Sequence, residues 1–391
     1  MADNFAGETA QGGPGELIAF YDKRFREAIQ RGESIYEPMK PLQQAAHERR
    51  MELLERLPIG DVTGRVCVDF GVGSWGFGLI YPRLQHCGFA VGFDISAEAI
   101  NESAKVSAEG TFPYGDRYAY RTSTGHDIKL RDSTVDVFFA GECIEHIENT
   151  DAFLDEVHRV LVPGGLLVLT TPNADSYLYK MRGERWCVGP EHVALMNVAE
   201  IERYLGPGFE ILEMKGFGHS VHHSLDEAIT DQDFARLWAA QFEGQPHLAS
   251  GLVVLARRRD SYEPRPCEQR RFHHQDADIV YRGVWKVAPL HESLSARLAE
   301  DGATASLRLT VTGTDVLVFL WAYNWGGQAV VSVDGAERPV DLYSPQCGFL
   351  RLHFAGLPEG DHQLELRGTG VRDPRSHSDQ IAFHQAISYT R

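Results

Sequence analysis

The chain has 391 residues, 43% hydrophobic and 24% charged, enough apolar material for more than one buried core and unlike a disordered chain. Its 55 acidic against 38 basic side chains give a formal net charge of -17, which repels a phosphate backbone or an anionic membrane. No long Lys/Arg run offsets that charge, so nucleic acid and membrane are set aside as partners, and a neutral or cationic ligand, or one held mainly by hydrogen bonds, is expected.

Six cysteines (Cys67, Cys87, Cys143, Cys187, Cys267, Cys347) form no C-x-x-C pair, so neither a disulfide framework nor a structural zinc site is expected. The opening MADNFAGETAQGGPGE lacks a basic stretch followed by an apolar one, and no apolar run reaches membrane-spanning length; the expectation is a soluble, cytoplasmic protein.

Residues 1–14 are Gly-rich and polar and read as a disordered tail. From 16 to 57 the pattern is helical, with Leu17, Phe20, Tyr21 and Phe25 at helical intervals and Pro38 and Pro41 as an interruption. Strands then alternate with helices. RVCVDF (65–70) ends at Gly71-Val72-Gly73, with a helix expected around 78–85. GFAVGFDI (88–95) leads to a helix over 96–108, and YAYRTS (118–123) follows. VDVFFAGE (135–142) precedes a helix over 149–160, and GGLLVLTTP (164–172) is the fifth strand. After a long excursion come FEILEMKGF (209–217), a helix over 224–242 and SGLVVLARR (250–258). This rhythm predicts an α/β domain over 60–260, its mainly parallel sheet covered on both faces.

The charged, Pro-containing stretch 257–278 marks a linker, with 261–278 as its body; the pair His273-His274 within it receives no role. Beyond it, strands at 306–313, 315–323, 328–335, 348–356, 362–368 and 381–389 are separated by breakers such as Asp334-Gly335. Residues 279–391 therefore read as an all-β sandwich or jelly roll.

The chemistry concentrates at the strand ends of the first domain. Asp69-Phe-Gly71-Val-Gly73-Ser-Trp75-Gly76 follows a strand and opens a helix, and glycines there permit a tight turn and close backbone approach. By residues alone such a loop serves NAD, FAD or another nucleoside. Asp94, ending the second strand, is placed to accept hydrogen bonds from two ribose hydroxyls; the alternative is a helix cap near Ser96. Glu142-x-x-Glu145-His146 ends the fourth strand, and on a helical turn positions three and four apart share a face. Both carboxylates and the imidazole then converge on a hard cation, Mg2+ or Mn2+, able to acidify a bound hydroxyl. His192 in the excursion is a fourth ligand or the general base, its unperturbed pKa lying near neutrality.

The segments 69–76, Asp94, DSTVDVFFAGECIEHI (132–147) and LVPGGLLVLTTPN (161–173) together resemble the class I S-adenosylmethionine-dependent methyltransferases, especially the quinone and small-molecule O-methyltransferases. The resemblance covers 60–260 and implies a Rossmann-like seven-stranded sheet with its last strand antiparallel. It implies that Gly71, Gly73 and Gly76 hold the methionine part of S-adenosyl-L-methionine, with Asp69 near its ammonium and Asp94 on its ribose. Asp127 and Ile128 take the adenine, Gly141 and Glu142 lie beneath the sulfonium, and Trp75 either covers the cofactor or fills a helix–sheet contact. Many relatives with a Glu-x-x-Glu-His run use no metal; there the His packs beside the cofactor and the carboxylates cap a turn.

Residues 1–59 are expected to form part of the acceptor side. Within the excursion, Tyr179, Arg182 and Trp186 are candidate acceptor-pocket residues, while His219, His222 and His223 read as a polar loop. The β region resembles galactose-binding-like modules; its Trp321, Tyr323 and Trp325 either stack on sugar rings or fill the core. Such a module holds a glycan, completes the acceptor pocket or mediates homo-oligomer formation. The reading that unites these observations is O-methylation of a hydroxyl on a sugar, glycan or glycosylated metabolite. A phenolic or quinone-like acceptor and a non-catalytic glycan-binding protein are the alternatives.

Overall fold

The computed structural model describes residues 14–32, 40–74, 81–108, 117–177, 191–218, 229–264, 268–291, 294–345 and 347–391. The chain divides into two compact units: Asp22–Pro266, and Cys267–Arg391 with the stretch Met1–Tyr21. Among the described residues no helix is long and apolar enough to cross a membrane. Cys67, Cys87, Cys143 and Cys347 are free thiols.

Two helices precede the first sheet. In α1 (Pro14–Arg31) Leu17, Phe20, Phe25 and Ala28 are buried, and in α2 (Pro41–Glu55) Leu42, Ala45, Ala46, Arg50, Leu53 and Leu54 are. Seven strands follow: β1 (Val66–Phe70), β2 (Phe89–Asp94), β3 (Tyr118–Thr122), β4 (Val135–Gly141), β5 (Leu161–Pro172), β6 (Phe209–Phe217) and β7 (Gly251–Arg258). They form one sheet in the order β3-β2-β1-β4-β5-β7-β6, parallel except for β7, which runs antiparallel to both its neighbours. Both faces are covered, as continuous apolar runs demand. On one face Phe70 stacks with Phe93 and Phe138 at 6.0 and 5.9 Å and meets Phe153 of α4 (Thr150–Val160) at 5.1 Å. On the other, Cys67, Val137, Phe139 and Val253 pack with Leu53 and Leu54 of α2. Val137 and Phe139 facing opposite to Phe138 and Ala140 is the period-two alternation of a strand.

The topology decides where a ligand belongs. From β1 the chain moves outward through β2 and β3, then returns to place β4 on the other side of β1. A reversal of strand order opens a crevice beyond the carboxyl ends of the strands that flank it. Register brings those ends level, with Phe70 opposite both Phe93 and Ala140.

Helix α3 (Ala97–Ala108) falls where expected. In place of the helix around 78–85, the described part is a 3-10 turn at Pro82–His86; residues 75–80 lie outside the described set. An unforeseen helix, α5 (Val198–Leu205), starts at a reciprocal cap in which Asn197 accepts from the Glu200 amide and Glu200 from the Asn197 amide. Of the helix expected over 224–242, the described part is α6 (Gln232–Ala240), capped by Asp231.

In the second unit, eleven strands are described: β8 (Gln269–His273), β9 (Val280–Arg282), β10 (Trp285–His291), β11 (Leu294–Ala299), β12 (Ser306–Thr312), β13 (Asp315–Ala322), β14 (Gln328–Val333), β15 (Ala336–Asp341), β16 (Gly348–Phe354), β17 (Asp361–Gly368) and β18 (Ala382–Tyr389). One sheet runs β10-β11-β18-β13-β16 with β8 also on β18; the other runs β15-β14-β17-β12-β9, and all pairs are antiparallel. Leu307, Leu309, Val331 and Leu366 of one sheet share a core with Val316, Val318, Leu320 and Phe383 of the other. That is a sandwich. The six expected strands are all present. Strand β8 lies inside the stretch read as linker, and His273 and His274 are buried, their rings 4.0 Å apart. Composition misled there: Arg270 lays its guanidinium over the Phe272 ring at 4.6 Å and Arg271 donates to Gln385 at 2.6 Å, so both charges are absorbed by a strand whose Phe272 joins the core.

Arg159 at the end of α4 fastens the connection into β4. It donates to Glu156 at 2.7 and 2.8 Å, to Asp132 at 2.7 Å, and to the carbonyls of Ile128 and Leu130 at 2.8 and 2.9 Å. Arg159→Ala leaves those carbonyls and the Glu156 carboxylate short of donors, and should destabilise the α/β unit by about 2–3 kcal/mol in urea unfolding. Unchanged unfolding would show the network to be idle.

Candidate active site

The bend after β1 is dictated by space. Gly71 has φ +82°, and a Cβ there would lie 3.0 Å from both Cβ and Sγ of Cys143, so the turn admits no side chain without displacing the start of the β4 connection. Gly73, at φ +66°, donates its amide to Asp94 Oδ2 at 3.0 Å, and the other Asp94 oxygen accepts the Ser96 amide at 2.9 Å. The amides of Gly71 and Val72 both reach the Phe93 carbonyl, at 2.8 and 2.9 Å. The ends of β1 and β2 are thus tied together beside Cys143. Burial raises the Asp94 carboxyl to about 6, against amide hydrogen bonds that pull it down. Its cap-like bond to Ser96 and its place at the crevice coexist, since each carboxylate oxygen has a second lone pair. Asp69 is 4% exposed.

The second half of α1 covers this rim. Asp22 Oδ1 accepts the Ser96 hydroxyl at 2.5 Å, Arg26 pairs with Glu98 at 2.8 Å, and the Phe25 ring lies 3.9 Å from where a Gly73 Cβ would stand. Arg24 pairs with Glu191 at 3.2 Å, so the same helix also meets the segment preceding His192.

At the end of β4, Glu142 takes φ +49°, a left-handed conformation uncommon for a residue with a side chain. Its amide donates to the Thr170 carbonyl and hydroxyl at 2.8 and 3.1 Å. This kink puts Glu142 outside the 3-10 turn Ile144–His146, so it does not share a helical face with the next two acidic and basic side chains. It pairs instead with the buried Arg50 of α2 at 3.3 Å. Glu145 and His146 do come together with His192: one ligand atom from each lies within 4.8 Å of the others. Glu145 is 1% exposed and accepts the Thr171 hydroxyl at 3.0 Å. Burial, and then the charge of Glu142, push its carboxyl well above the usual range. His146 Nδ1 bonds the Glu191 carbonyl at 3.0 Å, its ring lies 4.9 Å from that of His192, and burial lowers its pKa. The geometry thus offers two imidazoles, that of His146 pushed toward its neutral form by burial, beside a carboxyl whose pKa burial raises.

The remaining expectations divide. Gly141 ends β4 beside Thr170. Asp127 and Ile128 are split: Asp127 is exposed and pairs with Lys129, while Ile128 is in the core. Trp75, Gly76, Tyr179, Arg182, Trp186, His219, His222 and His223 lie outside the described residues. Sequence reasoning passed over Asp22, Arg24, Arg50, Thr171 and Glu191. Only Glu191, adjacent to His192, carried a positional hint; the others reach the site through contacts that no local pattern announces.

Residues 68–169 match the family model described as a methyltransferase domain. A "Probable S-adenosylmethionine-dependent methyltransferase" of Mycolicibacterium smegmatis is 27% identical over 161 residues, which is 36% of this chain and 60% of that protein. A ubiquinone biosynthesis O-methyltransferase of Bradyrhizobium is 34% identical over 113 residues, 29% of this chain and 42% of the relative. Among solved structures, magnesium protoporphyrin IX methyltransferase of Synechocystis with bound SAH aligns with 63% of this chain and 100% of its own at 16% identity, with a TM-score of 0.44. The chain spans 60% of the first of these curated relatives and less than half of the second. With the sheet order and the glycine bend described above, these matches show that the chain carries a class I S-adenosylmethionine-dependent methyltransferase domain.

Proposed function

We propose that the protein transfers a methyl group from S-adenosylmethionine to a hydroxyl oxygen of a sugar, glycan or glycosylated metabolite. The observation that carries the reading is the Gly71 bend, where the space a Cβ would fill abuts Cys143, with the Asp94 carboxylate bonded to the same turn. Bare backbone beside a buried acid fits a nucleoside that must approach closely and be held by its ribose. The cofactor supplies a methyl group already activated by a positive sulfonium.

What falls to the chain is holding, aligning and proton handling. In this reading Gly71 and Gly73 cradle the methionine part, with Asp69 near its ammonium; Asp94 accepts from the ribose, and Gly141 and Glu142 lie under the sulfonium. Arg50 fixes the Glu142 carboxylate from α2. His146, neutral by burial, or His192 takes the acceptor's proton. Glu145, His146 and His192 are also the set that would hold a divalent cation, whose chemistry there would be to acidify a bound hydroxyl. Two imidazoles with one carboxylate suit a transition ion such as Mn2+ better than Mg2+. A positive charge at that point would oppose the upward shift that burial gives the Glu145 carboxyl.

The sugar class is supported by the β unit, whose two antiparallel sheets suit a galactose-binding-like module. The names of relatives in ubiquinone biosynthesis favour a phenolic acceptor as the second reading. Incubation with labelled cofactor and both acceptor classes decides between them: label on glycoside hydroxyls supports the first, and label confined to phenols overturns it.

Two further outcomes are expected. Calorimetry with S-adenosylhomocysteine should show affinity falling as pH drops through about 6, because the Asp94 carboxylate loses its acceptor character on protonation. Asp94→Asn should flatten that profile and bind about tenfold to a hundredfold more weakly, whereas an unchanged affinity removes Asp94 from the ribose. Chelation by EDTA should suppress turnover and Mn2+ restore it in the parent but not in Glu145→Gln; activity indifferent to EDTA leaves the cluster structural.

A further inference from the structure

One helix touches both halves of the site. Asp22, Phe25 and Arg26 stand three and four residues apart on α1 and so share a face. Asp22 accepts the Ser96 hydroxyl at 2.5 Å and the Glu98 amide at 3.4 Å, and Arg26 pairs with the Glu98 carboxylate at 2.8 Å, so this face is fastened to the start of α3. Between them the Phe25 ring lies 3.9 Å from where a Gly73 Cβ would stand. It rests on the side of the bend that glycine leaves bare. A ligand that uses the missing Cβ for close approach must touch that ring or lift it.

Arg24, in the same turn of α1, reaches the other half. Its guanidinium donates to Glu191 Oε1 at 3.2 Å. Glu191 is in turn tied to the acid and imidazole that follow β4: its carbonyl accepts from His146 Nδ1 at 3.0 Å, and further along the same segment the Ala194 amide donates to the Glu145 carbonyl at 2.8 Å. His192 sits between these two attachments, its ring 4.9 Å from that of His146. Contacts therefore run without a gap from Gly73 through Phe25, Arg24 and Glu191 to His146.

Exposure bounds the strength of the link. The Arg24 side chain is 44% and that of Glu191 15% accessible. A pair of that kind moves an equilibrium by about twofold to fivefold, too little to decide whether the chain folds and enough to bias where one segment rests. Contiguity alone transmits nothing; two sites communicate only through an element with two positions that both of them bias.

We propose that Arg24 is a positioning residue that holds His146 and His192 through Glu191, and that α1, seated on the Gly73 bend or lifted from it, makes this hold depend on the occupied cofactor crevice. The inference rests on the methyl-transfer reading and adds regulation of the acceptor side to it. Coupling is reciprocal, so the Arg24–Glu191 pair must favour cofactor binding by the same factor.

The test titrates the full chain with S-adenosylhomocysteine by calorimetry and follows amide exchange over 191–197 by mass spectrometry. In the parent, saturation should slow exchange of that segment by about twofold to fivefold. Arg24→Met and Glu191→Gln should each abolish the change and weaken S-adenosylhomocysteine by about twofold to fivefold, with the double variant no weaker than either single one. Arg24→Lys, which keeps the charge, should behave as the parent does, and Phe25→Ala should lose the transmitted protection with Arg24 still in place. The proposal is overturned if both single variants bind as the parent does, if their effects add, or if bound S-adenosylhomocysteine leaves exchange over 191–197 unchanged. That last result sinks the coupling alone, whereas a parent that binds no S-adenosylhomocysteine sinks methyl transfer and the coupling with it.

Discussion

Everything at the crevice depends on a backbone crossing too tight for a side chain. Between β1 and the turn that follows, the chain passes within contact of Cys143 just after β4, where a Cβ would require Cys143 to give way and the positive φ would strain any residue that carries one. Because Gly71 adopts that positive φ, the next amides are turned toward β2, where Phe93 and Asp94 accept them. One steric constraint thereby fixes the spacing of three strand ends and leaves backbone, rather than side chains, facing the ligand.

Charge is arranged around that constraint with little left uncompensated. Glu142 pairs with Arg50, Glu98 with Arg26 and Glu191 with Arg24, so helices from the N-terminal part of the chain supply cations for acids after β4, in α3 and in the segment before α5. A chain with net charge -17 thus concentrates basic residues where its crevice needs them. Glu145 is handled differently, by depth: burial and the neighbouring charge of Glu142 push its carboxyl pKa up, against the Thr171 hydrogen bond and Arg50, which pull it down.

Much of this was legible in the sequence. Apolar runs and the intervening helical periodicity gave all seven strands of the α/β unit and six of the eleven in the sandwich, because burial on both faces or on one writes itself as a run or an alternation. Asp94 and the glycines were legible because a tight turn restricts residue type. What escaped was non-local or short. Glu142 bonds to Thr170 on the neighbouring strand and stands outside the 3-10 turn of Glu145 and His146, so a helical-face argument did not reveal its pairing with Arg50, although its charge still reaches both of those residues. Helix α5 is only eight residues long, although its Asn197 and Glu200 cap is readable at the right spacing. Strands β10 and β15 each contain a proline, which reads as a breaker.

Those two prolines have a consequence of their own. Pro289 lies in β10 and Pro339 in β15, and each strand is the outermost member of its sheet. Without an amide hydrogen, each removes a donor from a rim where a stray chain would otherwise dock and lengthen the sheet. The sandwich is thereby blunted on one side of each layer against end-to-end growth into fibrous aggregates.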